Sequence, residues 1–315
     1  MLNVQNLTPT TLVLEYFHPW PNSAGFYLAR QHKWYEDNKL DLHITVPDPW
    51  HGDSLEHLLQ ARADFAVAPV NRLLVRRNGG EPLRAIAAIN HCALETIQTL
   101  KSKNIHRPRD LAGRRLAMNP TPRGLAMVRH LVATDGGDPD SIQIVDMGFK
   151  ELRPEDLQNG IADASFGGYW AWEALMDSSL PQEERLTWRL DQLGAPAYHS
   201  YVLCTRDEIL QSRPDKVRAF LRASEKGFLA AAQDPLSALS AYELATPYFP
   251  TDLLSQSLKA IAPTWLHKGQ WGELRHDVMA EYTHWLADNA ILSDREIWRS
   301  AIVDPDFRVS LLKHS

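Results

Sequence analysis

The residues with the most chemistry to offer fall in a few loops. His18-Pro19-Trp20-Pro21-Asn22 follows an apolar run and precedes a helical stretch, and Pro69-Val70-Asn71 and Asn119–Gly124 have the same strand–loop–helix setting. Loops of this kind turn backbone N–H groups outward at a helix start, where polar or anionic ligands are held. Gly167–Glu173 adds Tyr169, Trp170, Trp172 and the acid Glu173, and Ala195–Tyr201 adds Tyr198, His199 and Tyr201. Aromatic walls with a few polar groups suit a flat, polar heterocycle. The same aromatics are equally at home in a core, and Glu173 is equally a helix-start acid favoured by the dipole. Arg123, at a Pro-Thr-Pro-Arg-Gly helix start, either binds an anion or is solvated.

Signatures of enzymes are missing. There is no GxSxG, HExxH, P-loop or GxGxxG motif. Thirteen histidines occur without metal-ligand spacing, and the two cysteines, Cys92 and Cys204, lie far apart without CxxC or Cys/His spacing. No metal is expected. A formal charge of −6 with dispersed basic residues argues against nucleic-acid binding.

Behind the loops stand elements able to position them. Leu12–Phe17 reads as a buried first strand, ended by two prolines, with Asn22 or Ser23 available to cap the next helix. Strand-like runs recur at Asp41–Val46, Ala63–Ala68, Leu83–Ile89, Thr96–Leu100, Arg115–Met118, Ile142–Val145, Ala162–Phe166 and Tyr198–Cys204, with helical stretches between most of them. This alternation predicts mainly parallel sheets in an α/β fold. After Arg213-Pro214 the chain turns helical, with Pro214 in a first helical turn. The 315 residues allow two domains or one large one, and no apolar run approaches the length of a membrane span. Met1–Asn6 lacks the basic and apolar regions of a secretory signal, so the expectation is a cytoplasmic protein, or a periplasmic or cell-surface one numbered after a removed leader.

LEYFHPWPNSAGFYLARQHKWYEDNKLDLHI resembles the opening of the substrate-binding proteins grouped with fungal thiamine-pyrimidine synthases. RPRDLAGRRLAM, NGIADASFGGYWAWEAL, GAPAYHSYVLCTRDEILQSRPDKVRAFLRASEKGF and QWGELRHDVMAEYTHWLADNAIL continue the likeness, the last three resembling bacterial binding proteins for formylaminopyrimidine, a thiamine salvage intermediate. The resemblance implies a type II periplasmic-binding-protein fold: two lobes with mainly parallel sheets, joined by two crossovers, with ligand trapped between them. Lobe I would take residues 1–92 and 200–315, with a C-terminal helical wrap, and lobe II residues 93–199. It further implies delivery of an aminopyrimidine-like ligand to an ABC permease. Trp20, Tyr169 or Trp170, and Tyr198 would stack on the ring, and Asn22, Asn71 and Glu173 would read its nitrogens. His199 stands with them as a site residue.

Two enzymatic relatives supply the alternative. The synthase's pyridoxal phosphate lysine and its histidine are replaced here in Ala66–Arg72, at Ala68 and Arg72, and its cysteine-rich run falls on the cysteine-free Ala195–Ser200. No cofactor is therefore expected. The biphenyl sulfinate desulfinase carries its cysteine where this chain has His18. A cytoplasmic enzyme of the same fold, with His18 or His199 as acid/base, and a binder of alkyl sulfonates using helix N-termini and Arg123 remain the alternatives.

Overall fold

A computed structural model describes residues 7–148, 150 and 152–303, so Met1–Asn6, read above for a leader, lies outside the described residues. The strands used below are β1 (Thr8–Val13), β2 (Leu40–Thr45), β3 (Phe65–Pro69), β4 (Leu83–Ala88), β5 (Glu95–Leu100), β6 (Arg115–Met118), β7 (Gln143–Asp146), β8 (Ala164–Tyr169), β9 (Arg185–Arg189) and β10 (Tyr201–Arg206). The chain divides into two compact units. The first takes the residues up to His91, then Tyr198–Ala287 and the residues from Leu292 on, and the second takes Cys92–Ala197 with Asp288–Ile291.

Each unit is built on a five-stranded sheet, ordered β2-β1-β3-β10-β4 in the first and β7-β6-β8-β5-β9 in the second. In the first, β1 runs parallel to β2 and β3, while β10 is antiparallel to β3 and β4. In the second, β6 runs parallel to β7 and β8, while β5 is antiparallel to β8 and β9. Four strands of each sheet therefore share a direction and one opposes them. The opposing strand is the first that the chain forms after entering the second unit (β5) or returning to the first (β10). This is the α/β architecture of periplasmic binding proteins.

Burial follows the expected chemistry. In β2, Leu40, Leu42 and Ile44 are buried while Asp41 and His43 are exposed, whereas Phe65–Ala68 of β3 is buried throughout, as fits a strand covered on both faces. Helix Pro214–Gln233 lays Phe220 flat on Phe65, with ring centroids 3.9 Å apart, and stacks Phe228 on Trp271 at 4.9 Å.

Three expectations change. The first strand begins four residues earlier than the apolar run and ends at Val13. Its neighbour β2 stops at Thr45, two residues before Pro47, so after Leu14 N–H reaches the Thr45 carbonyl at 2.8 Å the chain leaves the sheet. Neither Asn22 nor Ser23 caps helix Ala24–Gln31, because the Asn22 amide pairs with Asn90 and the Ser23 hydroxyl meets the Trp20 carbonyl and the Tyr242 phenol. Strand β9 went unseen, since its half-exposed residues do not alternate cleanly and it pairs only with β5.

Candidate functional site

In the first unit the chain leaving β1 wraps a small recess lined by Glu15, Tyr16, Trp20, Asn22 and Tyr201 among others. Trp20 is 5% exposed, and its ring sits 6.2 Å from Tyr16 and 6.5 Å from Tyr201. Its carbonyl accepts the Ser23 N–H at 3.0 Å and the Tyr242 hydroxyl at 2.7 Å, so backbone as well as packing holds the indole. Asn22 and Asn90 exchange amide hydrogen bonds at 3.1 and 2.7 Å, and the indole N–H of Trp265 points at Asn22 Oδ1 from 3.4 Å. The Asn22 amide thus braces the recess wall from the core side.

Glu15 is a candidate site residue that the sequence did not single out. Its side chain is only 11% exposed, and Oε1 pairs with the Arg72 guanidinium, which also stands 3.5 Å from Asp53. Oε2 lies 2.8 Å from the Ser54 hydroxyl. Burial pushes this carboxyl up to about 7, against the opposing pull of Arg72 and Ser54. The signal was present: one charge inside the apolar run Leu12-Val13-Leu14-Glu15-Tyr16-Phe17. Asn71 is half-buried in the first turn of helix Val70–Asn78, next to Arg72, and is not among the recess-lining residues.

Tyr198 and His199 fall in the first unit but inside its core. Tyr198 is 4% exposed and stacks on Tyr282 with centroids 4.8 Å apart. His199 is fully buried; its Nδ1 lies 3.1 Å from the Asn90 carbonyl and its Nε2 accepts the Arg275 N–H at 3.2 Å. A carbonyl can only accept and a backbone N–H can only donate, so the proton sits on Nδ1 and the ring is neutral. Burial first, then the charge of Arg275 and the nearby His267, push its pKa down to about 4, against the pull of the Asn90 carbonyl.

The second unit gathers Tyr169, Trp170 and Glu173 at the end of β8. The β5–β8 register slips between Glu95 and Ile97, and Gly167 takes φ 122°, a bulge that a side chain would resist. Beyond it, Glu173 Oε2 accepts the Tyr169 N–H at 2.6 Å. Trp170 Nε1 donates to the Ala93 carbonyl at 3.1 Å, and the Arg189 guanidinium lies 3.8 Å from the indole ring centre. Arg123 is neither solvated nor open to an anion: it is 8% exposed and paired with Glu95. Among the described residues, no group of histidines, cysteines and acids is arranged to hold a metal.

Comparison with known proteins places the chain in a family. The chain is 23% identical over 224 residues to the formylaminopyrimidine-binding protein of Halalkalibacterium halodurans, a match covering 70% of this chain and 66% of that protein, just under two thirds of it. It is 22% identical over 291 residues to the 4-amino-5-hydroxymethyl-2-methylpyrimidine phosphate synthase of Aspergillus parasiticus, covering 85% of this chain and 84% of the relative. Among solved structures, the periplasmic aliphatic sulphonate binding protein SsuA from Escherichia coli superposes with a TM-score of 0.71 at 15% identity, covering 93% of this chain and 97% of that one. The pattern of the family described as NMT1/THI5 like matches residues 20–238, more than half of the chain, and the protein belongs to that family.

Proposed function

We propose that this protein is a solute-binding protein that captures a small aminopyrimidine-type thiamine precursor and delivers it to an ABC importer. The observation that carries the reading is a carboxylate, Glu15, set in an aromatic recess with Tyr16, Trp20 and Tyr201. Flat rings suit a heterocycle, and a carboxylate accepts hydrogen bonds from an exocyclic amine beside a basic ring nitrogen. Within the second unit, Tyr169, Trp170 and Glu173 set two aromatic rings and an acid close together at the end of β8. The formylaminopyrimidine-binding relative agrees in substrate class. A periplasmic or cell-surface location follows from the role.

An alkyl sulfonate fits less well. It needs a cation, and Arg72 is paired with Glu15 and Arg123 with Glu95. Likeness to the sulphonate-binding structure is at 15% identity and speaks for the fold alone. Neither His18 nor His199 has the setting of an acid/base: the His18 ring packs on Tyr16 and Phe249, and His199 is sealed in the core.

Titration calorimetry with a 5-substituted 4-amino-2-methylpyrimidine and with an alkanesulfonate tests the proposal. The expected result is a pyrimidine Kd of about 1 µM or tighter, equivalent to roughly 8 kcal/mol, and no heat from the sulfonate. The reverse result would overturn it. Glu173→Gln is expected to weaken pyrimidine binding by one to two factors of ten, since a charge-assisted hydrogen bond contributes about 1.5–3 kcal/mol.

A further inference from the structure

Asn22 and Asn90 are 3% and 0% exposed, and each side-chain amide has two hydrogens to place. The buried Thr264 hydroxyl lies 2.7 Å from the Ile261 carbonyl oxygen and 2.8 Å from Asn90 Nδ2. A carbonyl can only accept, so the one hydroxyl hydrogen goes to Ile261 and Thr264 accepts from Asn90. That contact fixes which end of the Asn90 amide is nitrogen. The other Asn90 hydrogen goes to Asn22 Oδ1 at 2.7 Å, and Asn22 Nδ2 donates back to Asn90 Oδ1 at 3.1 Å. The indole N–H of Trp265, which can only donate, faces the same Asn22 oxygen from 3.4 Å. Turning both amides over would set oxygen against the Thr264 oxygen and N–H against the indole N–H. The pair is held one way round.

In this arrangement both Asn90 hydrogens are placed and Asn22 Oδ1 already accepts two. One Asn22 hydrogen has no acceptor among the described residues, on a buried side chain that lines the recess. We propose that Asn22 is a donor-only reading group, held so by Asn90 and Thr264, and that it selects a ring atom with a lone pair, an unprotonated ring nitrogen. This rests on the proposed ligand class.

Asn22 and Glu15 then complement one another. The Glu15 carboxylate, with Oε1 on Arg72 and Oε2 accepting the Ser54 hydroxyl, can only accept, and Asn22 can only donate. A 4-aminopyrimidine supplies both partners on one ring: amine hydrogens for the carboxylate and ring nitrogens for the amide. Asn90 and Thr264 are not among the recess-lining residues and act through Asn22, as positioning residues.

Thr264→Val keeps the branched shape of the side chain and removes the acceptor. Nitrogen–proton correlation spectra of the free protein provide the first test. One Asn90 side-chain amide hydrogen is expected to shift upfield in the variant, and an unchanged pair would overturn the proposal. Calorimetry with 4-amino-2-methylpyrimidine and with 3-methylaniline, the same ring with both nitrogens replaced by C–H, provides the second. The parent protein is expected to bind the pyrimidine about 10 to 100 times more tightly, the range for leaving one buried donor unsatisfied. In Thr264→Val the pyrimidine is expected to weaken about tenfold while the aniline is unmoved. Equal weakening of both would make Thr264 merely structural and overturn the proposal, as would an unchanged pyrimidine affinity. Binding of neither compound would remove the ligand reading, while the Asn90 shift would still establish the donor-only amide.

Discussion

Glu15 and His199 are both shielded from water, and burial drives their titrations in opposite directions. Glu15 moves up from 4.5 to about 7, so between those values the folded chain holds a proton that the unfolded chain has lost. Its contribution is intact below the unfolded value and is lost as pH rises through about 7, a term on the order of 3 kcal/mol at most. Glu15→Gln removes that term, so the variant is expected to gain stability relative to the parent between pH 5 and pH 8, read by urea unfolding at both. His199 moves down from 6.5 to about 4, so its contribution is intact above 6.5 and is lost as pH falls towards 4. In His199→Gln the stability curve between pH 6.5 and 4.5 is expected to flatten by a few kcal/mol, and an unchanged slope would place the acid sensitivity elsewhere. His91 acts in the same sense: it is pushed down to about 3 by burial and by His199, whose ring centre is 5.3 Å away.

At the scale of elements, helix Ala24–Gln31 and helix Pro214–Gln233 meet at two glycines, Gly25 and Gly227. A methyl group on Gly227 would stand 2.0 Å from the Gly25 carbonyl oxygen, and one on Gly25 would stand 2.3 Å from the Phe228 ring. Backbone against backbone cannot yield by a rotamer change. Gly227→Ala is therefore expected to destabilise by about 3 kcal/mol through overpacking, read as a lower urea midpoint. The elements themselves were largely legible. Pro214 opens its helix as its place in the sequence predicts, because proline acts through the local backbone alone. Strand boundaries were less so: where β1 stops depends on where its partner β2 meets Pro47.

For the whole molecule, ligand binding and folding are linked by mass action. At a ligand concentration 100 times Kd, the native state gains about 2.7 kcal/mol. A thermal melt with the aminopyrimidine at that excess is expected to rise by several degrees, with an alkanesulfonate leaving it unmoved. Equal shifts from both would remove the chemical basis for preferring a pyrimidine.

By itself the sequence determined the α/β alternation, the helical tail, the aromatic loop Gly167–Glu173 and the likeness to a binding-protein family. Each of these rests on patterns within a few residues or on ordered motifs. Only the tertiary structure decided which polar groups meet. Arg72 reaches Glu15 across 57 positions, Asn22 reaches Asn90 across 68, and the Arg275 backbone reaches His199 across 76. The same distance effect turned Arg123 from an anion candidate into the partner of Glu95, 28 positions away. Periodicity reports which face of an element is apolar. It carries no information about which distant donor a buried carboxylate will find, and that pairing sets the charge of the recess.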